Sequence, residues 1–288
     1  MANVIKIKKG LDINLKGKAS DVLLNGGKSE SYAIVPDYYN GILPKVVAKV
    51  GEKVKAGSVL MIDKNRPEIK FVSPVSGEVT AVNRGEKRKV LSIVVKPDAQ
   101  IEYEEFGKKN VASLQGAEVK EVLLNAGMWP FIKQRPYDIV AAPLDTPRDI
   151  FVSAFYSAPL APNFDFIVKG QEADFQTGLN ALAKLTNGKV YVGVRSGSVV
   201  SGMKGVEIVE VEGPHPAANV GVQINHIKPV NKGEVVWTVN PADVIVIGRL
   251  FNKGVADFSR MVAITGSETT ERGYVKTISG CTIKSLVN

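Results

Sequence analysis

Two glycine-punctuated stretches near the N-terminus constrain the fold most. One runs Gly41-Ile42-Leu43-Pro44-Lys45-Val46-Val47-Ala48-Lys49-Val50-Gly51-Glu52-Lys53-Val54-Lys55-Ala56-Gly57-Ser58-Val59-Leu60. The other runs Ser73-Pro74-Val75-Ser76-Gly77-Glu78-Val79-Thr80-Ala81-Val82-Asn83-Arg84-Gly85. Each alternates apolar and polar residues as a half-buried strand does, then meets a glycine where the turn needs positive φ. No convincing helix interrupts residues 1–100, so these segments predict a small β-barrel.

The chain has 288 residues, which calls for two or three domains. Its lone cysteine, Cys281, excludes an internal disulfide framework and a cysteine-held zinc or iron–sulfur site. His215 and His226 have no carboxylate spacing that suggests a metal, and are read as structural or surface residues. The net charge of +8 is spread over lysines such as Lys6, Lys8, Lys9, Lys16, Lys18, Lys45, Lys49, Lys53 and Lys55. No aromatic stripe interleaves with them, so no nucleic-acid partner is expected; an anionic membrane surface attracts such a face equally well. The first ten residues alternate like a strand and lack a signal-peptide core. No apolar run reaches the roughly 18 residues of a membrane span. The expectation is a chain that folds in a reducing cytoplasm, soluble or peripheral to a membrane.

Beyond residue 100 the period changes. Val119, Val122, Leu123 and Ala126 predict a helix over 111–127, with Gly127 at its C′ position. Gln171–Leu185 reads as a second helix, with Phe175, Leu179 and Leu182 on one face and Asn187-Gly188 as its stop. Tyr137–Ala142, Ile150–Ala154, Lys189–Val194, Val206–Val211 and Asp243–Ile247 read as strands. Strands alternating with helices predict an α/β layer with a largely parallel sheet. After Met261, Val262–Gly266 and Gly273–Thr277 read as two further strands, and Gly280–Leu286 as the start of a helix.

Several chemistries fall away. Gly26-Gly27-Lys28-Ser29 resembles the end of a phosphate loop, but Val22 stands where its first glycine belongs, so a polar turn is preferred. No Gly-x-Gly-x-x-Gly follows a strand. Arg195-Ser196-Gly197-Ser198 lacks the first glycine of a nucleophile elbow, and the histidines are poorly placed for a triad. Glu102, Glu104 and Glu105 read as a solvated linker face.

The turn pattern of 41–85 resembles the biotinyl/lipoyl carriers. Their modified lysine would stand eight positions before Pro74, where this chain has Arg66, whose guanidinium cannot form the amide. The fold is expected without the swinging arm. The strand–Gly–strand–turn pattern after Met261 resembles the opening of the soluble-ligand-binding β-grasp family (SLBB type). The order of parts resembles the flavin-bearing component of respiratory complex I and the RnfC component of the Rnf complex. Their glycine-rich flavin loop corresponds to Asn125-Ala126-Gly127-Met128-Trp129-Pro130-Phe131, which has lost most of its glycines. Phe151–Phe166, Gly213–Gly221, Asn231–Asn240 and Asp243–Phe251 carry a closer resemblance, to the NqrA family, a component of the sodium-translocating NADH:quinone oxidoreductases.

That resemblance implies a multi-domain α+β chain. A biotinyl-like barrel-sandwich hybrid over 1–100 precedes a Rossmann-like α/β domain over 101–255. The start of a β-grasp domain over 256–288 follows, cut short at Asn288 because family members are longer. It also implies a peripheral subunit on the cytoplasmic side of the bacterial inner membrane, within a complex that passes electrons from NADH to quinone and exports sodium. The partners are the other subunits and quinone. No cofactor is expected on this chain, flavins and metal centres being carried by those partners, and no activity is expected of the chain in isolation.

A quinone needs flat apolar walls and one or two donors. Gly127–Pro136, stiffened by two prolines, offers Trp129, Phe131 and Ile132 as walls and Lys133, Gln134 and Arg135 as donors. Equally, Trp129 and Phe131 plug the junction between barrel and α/β layer while the cations face solvent. Tyr38 and Tyr39, in a barrel turn, are a second candidate pair. The alternative to a quinone site is a structural adaptor that docks an electron-carrying partner through the basic barrel face.

Overall fold

The glycine-punctuated stretches close on each other as the alternation predicts. The computed structural model describes residues 3–287. In chain order the strands are β1 (Asn3–Lys6), β2 (Leu23–Leu24), β3 (Tyr32–Ile34), β4 (Pro44–Val46), β5 (Lys53–Val54), β6 (Val59–Asp63), β7 (Lys70–Val72), β8 (Gly77–Arg84) and β9 (Val90–Pro97). Two antiparallel sheets, β3-β9-β8-β5 and β4-β6-β7, share a core of Leu60, Met61, Ile69, Val79, Ile93 and Val95. This is the barrel-sandwich hybrid. Gly51 and Gly57 take the positive φ that their turns require, at 88° and 105°. Gly85 does not: at φ −97° it sits in extended backbone, and the positive φ passes to Lys87 and Arg88. The Glu102–Glu105 linker is not free in solvent. Its backbone bridges to Ala56, and Glu104 accepts the Ser58 hydroxyl at 2.7 Å.

Arg66, in the place of the carriers' lysine, ties the barrel down. It pairs with buried Asp63 at 2.8 Å and donates to the carbonyls of Gly41 and Val140 at 2.8 and 3.2 Å. A planar fork of five donors suits three acceptors in one plane, which an ammonium does not.

The second layer starts with α1 (Gly116–Asn125), followed by β10 (Ile132–Arg135), β11 (Ile139–Val140), β12 (Ile150–Ser153), α2 (Phe164–Val168), α3 (Glu172–Ala183), β13 (Val190–Val194), β14 (Glu207–Glu212), α4 (Val220–Ile227), β15 (Val236–Val239) and α5 (Pro241–Lys253). The helix expected over 111–127 is broken: Val111–Ser113 is a separate 3-10 turn, and Gln115 with Glu118 forms a capping box that starts α1. The Tyr137–Ala142 strand shrinks to β11, because Tyr137 and Asp138 lie in the turn after Pro136, with Asp138 at φ 55°.

Asp243–Ile247 is not a strand but the centre of α5. Asn240 caps that helix by accepting from Ala242 N at 3.0 Å, Pro241 starts it, and Gly254 ends it at φ 77°. The run looks like a strand because Val244 to Phe251 are buried all round, so no polar face shows the period of 3.6. Inside, α5 meets α3 at Gly178 and Gly248. A Cβ at either position would fall on a backbone carbonyl of the facing helix, Val244 or Asp174.

The seven-stranded sheet has the order β1-β14-β13-β12-β15-β10-β11. β1, β14, β13, β12 and β15 are parallel; β10 and β11 are antiparallel additions. The N-terminal strand, expected in the barrel, therefore lies on the far edge of the α/β sheet. β2 also leaves the barrel, pairing in parallel with β17 (Gly273–Ile278), which pairs antiparallel with β16 (Ser259–Ile264). Only part of the last segment repeats the expectation: the two strands are present, but Gly280–Leu286 forms one 3-10 turn, Ile283–Ser285, rather than a helix. Among the described residues no helix is long and apolar enough to cross a membrane.

Candidate functional site

The rigid turn after α1 lies where barrel, α/β sheet and C-terminal hairpin meet. Gly127, at φ 66°, turns the chain off the helix and lies so close to Val72 of the barrel that a side chain would collide with it. Trp129 is fully buried. Its indole N–H donates to Ala141 O at 2.8 Å, and its ring meets Trp237 edge-on at 5.4 Å. Ile132 is equally sealed in the core. Neither side chain has surface to offer a ligand. Gln134 is occupied as well, donating to Asp145 at 2.9 Å and accepting from Ala142 N at 3.1 Å.

Phe131, Lys133, Arg135 and Tyr39 are placed differently. Phe131 packs edge-on to Phe258, with the Arg260 guanidinium 5.4 Å from its ring centre. Tyr39 packs edge-on to Phe71 at 4.8 Å and receives the Lys133 ammonium over its face at 5.2 Å. Tyr38, next to it, is 78% exposed and reaches only the rim of the apolar cleft beside Phe131. Lys133 and Arg135 are two apart on β10, so both project from the same sheet face, opposite Ile132. Arg135 pairs with Asp138 at 3.4 Å.

Two cavities flank Phe131. An apolar cleft of about 180 Å³ is walled by Ile34, Tyr39, Phe71, Phe131 and Phe258, with Arg260 as its cation. A wider crevice of about 620 Å³ lies on the other side, at the ends of β12 and β15. From β12 the chain moves outward through β13 and β14, then returns to the other side of β12 as β15. The loops leaving β12 and β15 consequently diverge, which is the point where open α/β sheets hold their ligands.

Arg260 and Asp243, absent from the sequence-based candidates, hold the centre. They pair at 2.5 Å, and Arg260 Nε donates to Ser279 Oγ. Burial works against the charge on Arg260; Asp243 outweighs it and raises the pKa. Burial also pushes the Tyr39 and Tyr156 phenols up to about 12, with Asp243 adding to it, so both stay protonated donors. Tyr156 already donates to Asn240 Oδ1 at 3.2 Å. The Asn-Pro start of α5 is the sequence signal that could have located Asn240 and Asp243; nothing in local spacing joins Arg260 to Tyr39.

Behind Arg260, Arg249 is almost fully buried and holds Asp174 and Asp257. Burial alone would raise the Asp257 pKa, but the Ser259 hydroxyl and Arg249 pull it from 3.8 to about 2. A carboxyl depressed on folding contributes stability that is complete above its unfolded pKa and is lost as pH falls through the folded one. The stability gap between the wild type and Asp257→Asn should therefore shrink by about 1–2 kcal/mol between pH 5 and pH 2, after allowance for partial solvent screening. Urea titrations at the two pH values measure it.

Comparison with known proteins agrees with this architecture. The model of the NqrA N-terminal barrel-sandwich hybrid domain matches residues 5–98, and that of the NqrA second alpha/beta domain matches residues 114–256. The chain belongs to the NqrA family. Relatives from Hahella chejuensis, Neisseria meningitidis serogroup A and Photorhabdus laumondii are 38%, 36% and 36% identical over 98% of this chain. All three are named as the NqrA component of the Na(+)-translocating NADH-quinone reductase, an oxidoreductase complex. The chain spans 64% of the length of each.

Proposed function

We propose that this chain serves within the NqrA component of a sodium-pumping NADH:quinone reductase and holds a quinone headgroup in the apolar cleft. One observation carries the reading: the rings of Tyr39, Phe71, Phe131 and Phe258, with Tyr38 at the rim, and an aliphatic wall enclose a space with a single guanidinium, Arg260, at its side. A quinone asks for this combination of flat apolar walls and a cationic donor for a carbonyl that gains negative charge on reduction. Among the described residues, Arg260 spends its Nε on Ser279 and one terminal nitrogen on Asp243, which leaves its other terminal nitrogen for that carbonyl. The Tyr39 phenol is a second donor. At about 180 Å³ the cleft is smaller than the ~300–1,000 Å³ of drug-sized sites, so it takes the ring while the tail leaves through the mouth. In this reading the chain sits on the cytoplasmic face of the membrane, and electrons and sodium pass through the partner subunits, which carry the redox centres.

Calorimetric titration with a short-chain quinone tests the site. Saturable binding is expected, with Tyr39→Phe weakening it roughly 5–10-fold through one lost hydrogen bond and no lost wall. Absence of saturation, or equal affinity in Tyr39→Phe and Phe131→Ala, would remove the cleft from consideration.

A further inference from the structure

We infer that the crevice between β12 and β15 is a second ligand site, separate from the apolar cleft, that takes a phosphomonoester the size of a mononucleotide. Apolar atoms make up more than half of its lining, but it adds donors that the cleft lacks: Lys133, Arg135, Ser153, Tyr156, Thr238 and Asn240 all face it. At about 620 Å³ it has the volume of a mononucleotide site. It also opens at the strand-order reversal, where doubly wound sheets place such ligands.

The charges make the ligand an anion. Two carboxylates line the crevice and each is already matched, Asp138 by Arg135 and Asp243 by Arg260. Among the described residues, Lys133 has no salt-bridge partner and rests on the face of Tyr39. It lies opposite Thr238 in the β10–β15 ladder, and both residues line the crevice. Arg135, two residues on, keeps its Nε sealed from solvent with no acceptor among the described residues. A buried donor without a partner costs about 1–3 kcal/mol, more when charged, and an arriving oxyanion removes that cost. Burial lowers the Lys133 pKa, and Asp138 and Asp243, each engaged by an arginine, only partly offset it. A phosphate carries nearly two negative charges and three acceptor oxygens, enough to engage Lys133, Thr238 and Arg135 together. A neutral quinone ring does not satisfy these donors, which separates this site from the apolar cleft.

The intact chain should be titrated at low salt with adenosine monophosphate and riboflavin phosphate, and in parallel with adenosine and riboflavin. The expected result is saturable binding of at least one phosphorylated probe below about 1 mM, with its dephosphorylated partner roughly tenfold weaker or worse. Lys133→Gln should weaken the phosphorylated probe roughly tenfold, and Lys133→Arg should restore most of the loss, with circular dichroism confirming that both variants fold. Inorganic phosphate added as competitor should displace the probe. The inference is overturned if neither phosphorylated probe saturates, if phosphorylated and dephosphorylated probes bind alike, or if Lys133→Gln leaves the affinity unchanged. Tyr39→Phe should leave nucleotide affinity intact, so failure here and failure of the quinone reading are seen in different titrations.

Discussion

Replacing Gly248 by alanine is expected to destabilise the α/β layer by about 3 kcal/mol or more, at the upper end of overpacking effects. An added methyl usually displaces a flexible side chain, and the cost stays low. Here it would land on the Asp174 carbonyl and crowd the Gly178 backbone N on α3, and neither can swing away. The two helices must separate, and the buried apolar face between them, including Phe175, Leu179, Ile247 and Phe251, loses its packing. Thermal unfolding should show a midpoint lower by roughly 5–10 °C. As a control, Gly202→Ala, where a Cβ meets nothing within 4 Å and φ is not positive, should lower the midpoint much less. Equal shifts in the two variants would show that helix contact is not what Gly248 provides.

Trp129→Ala is the second large effect. The side chain is among the largest that are fully buried, and it supplies three things at once: volume, an edge-on contact to Trp237 and a hydrogen bond to Ala141. Large-to-small replacement of a buried aromatic costs about 3–5 kcal/mol. Trp129→Phe keeps most of the volume and leaves the Ala141 carbonyl without its donor, so a loss nearer 1–2 kcal/mol is expected. Denaturant midpoints at constant m-value read both. If alanine cost no more than phenylalanine, Trp129 would not be filling the junction.

These two residues also show how much of the fold is visible in the chain itself. The barrel was legible because alternation and glycine turns are local, and Gly51 and Gly57, though not Gly85, announce their own conformation. The helix α3 was legible for the same reason: Phe175, Leu179 and Leu182 recur at the helical period beside polar neighbours. α5 was misread because burial on every side removes the contrast that periodicity needs; Asn240-Pro241 at one end and Gly254 at the other were the better cues. At the candidate site the sequence singled out the turn at 127–136 but not how its side chains divide between core and surface. Trp129, Ile132 and Gln134 are consumed by packing and hydrogen bonds, while Phe131, Lys133 and Arg135 face cavities. That division follows from the strand geometry of β10, which the two prolines obscure. Arg260 and Asp243 came from outside the turn altogether. Arg260 reaches Phe131, and through Asp243 the start of α5, only because the C-terminal hairpin folds back across the barrel, and no spacing rule connects residues that distant.

The parallel pairing of β1 with β14 sets an order of events during synthesis. Asn3–Lys6 leave the ribosome roughly 200 residues before their partners, Val209–Glu212. Leu23 and Leu24 wait still longer, for Tyr274 and Val275. The barrel strands from Tyr32 to Pro97 need no later partner within their own sheets and can close early. A nascent chain of this protein therefore carries a finished barrel with the segment before it unclaimed until those later strands have emerged. That segment is rich in lysine and poor in large aromatics, a composition that keeps an exposed strand edge from pairing with the wrong neighbour in the interval.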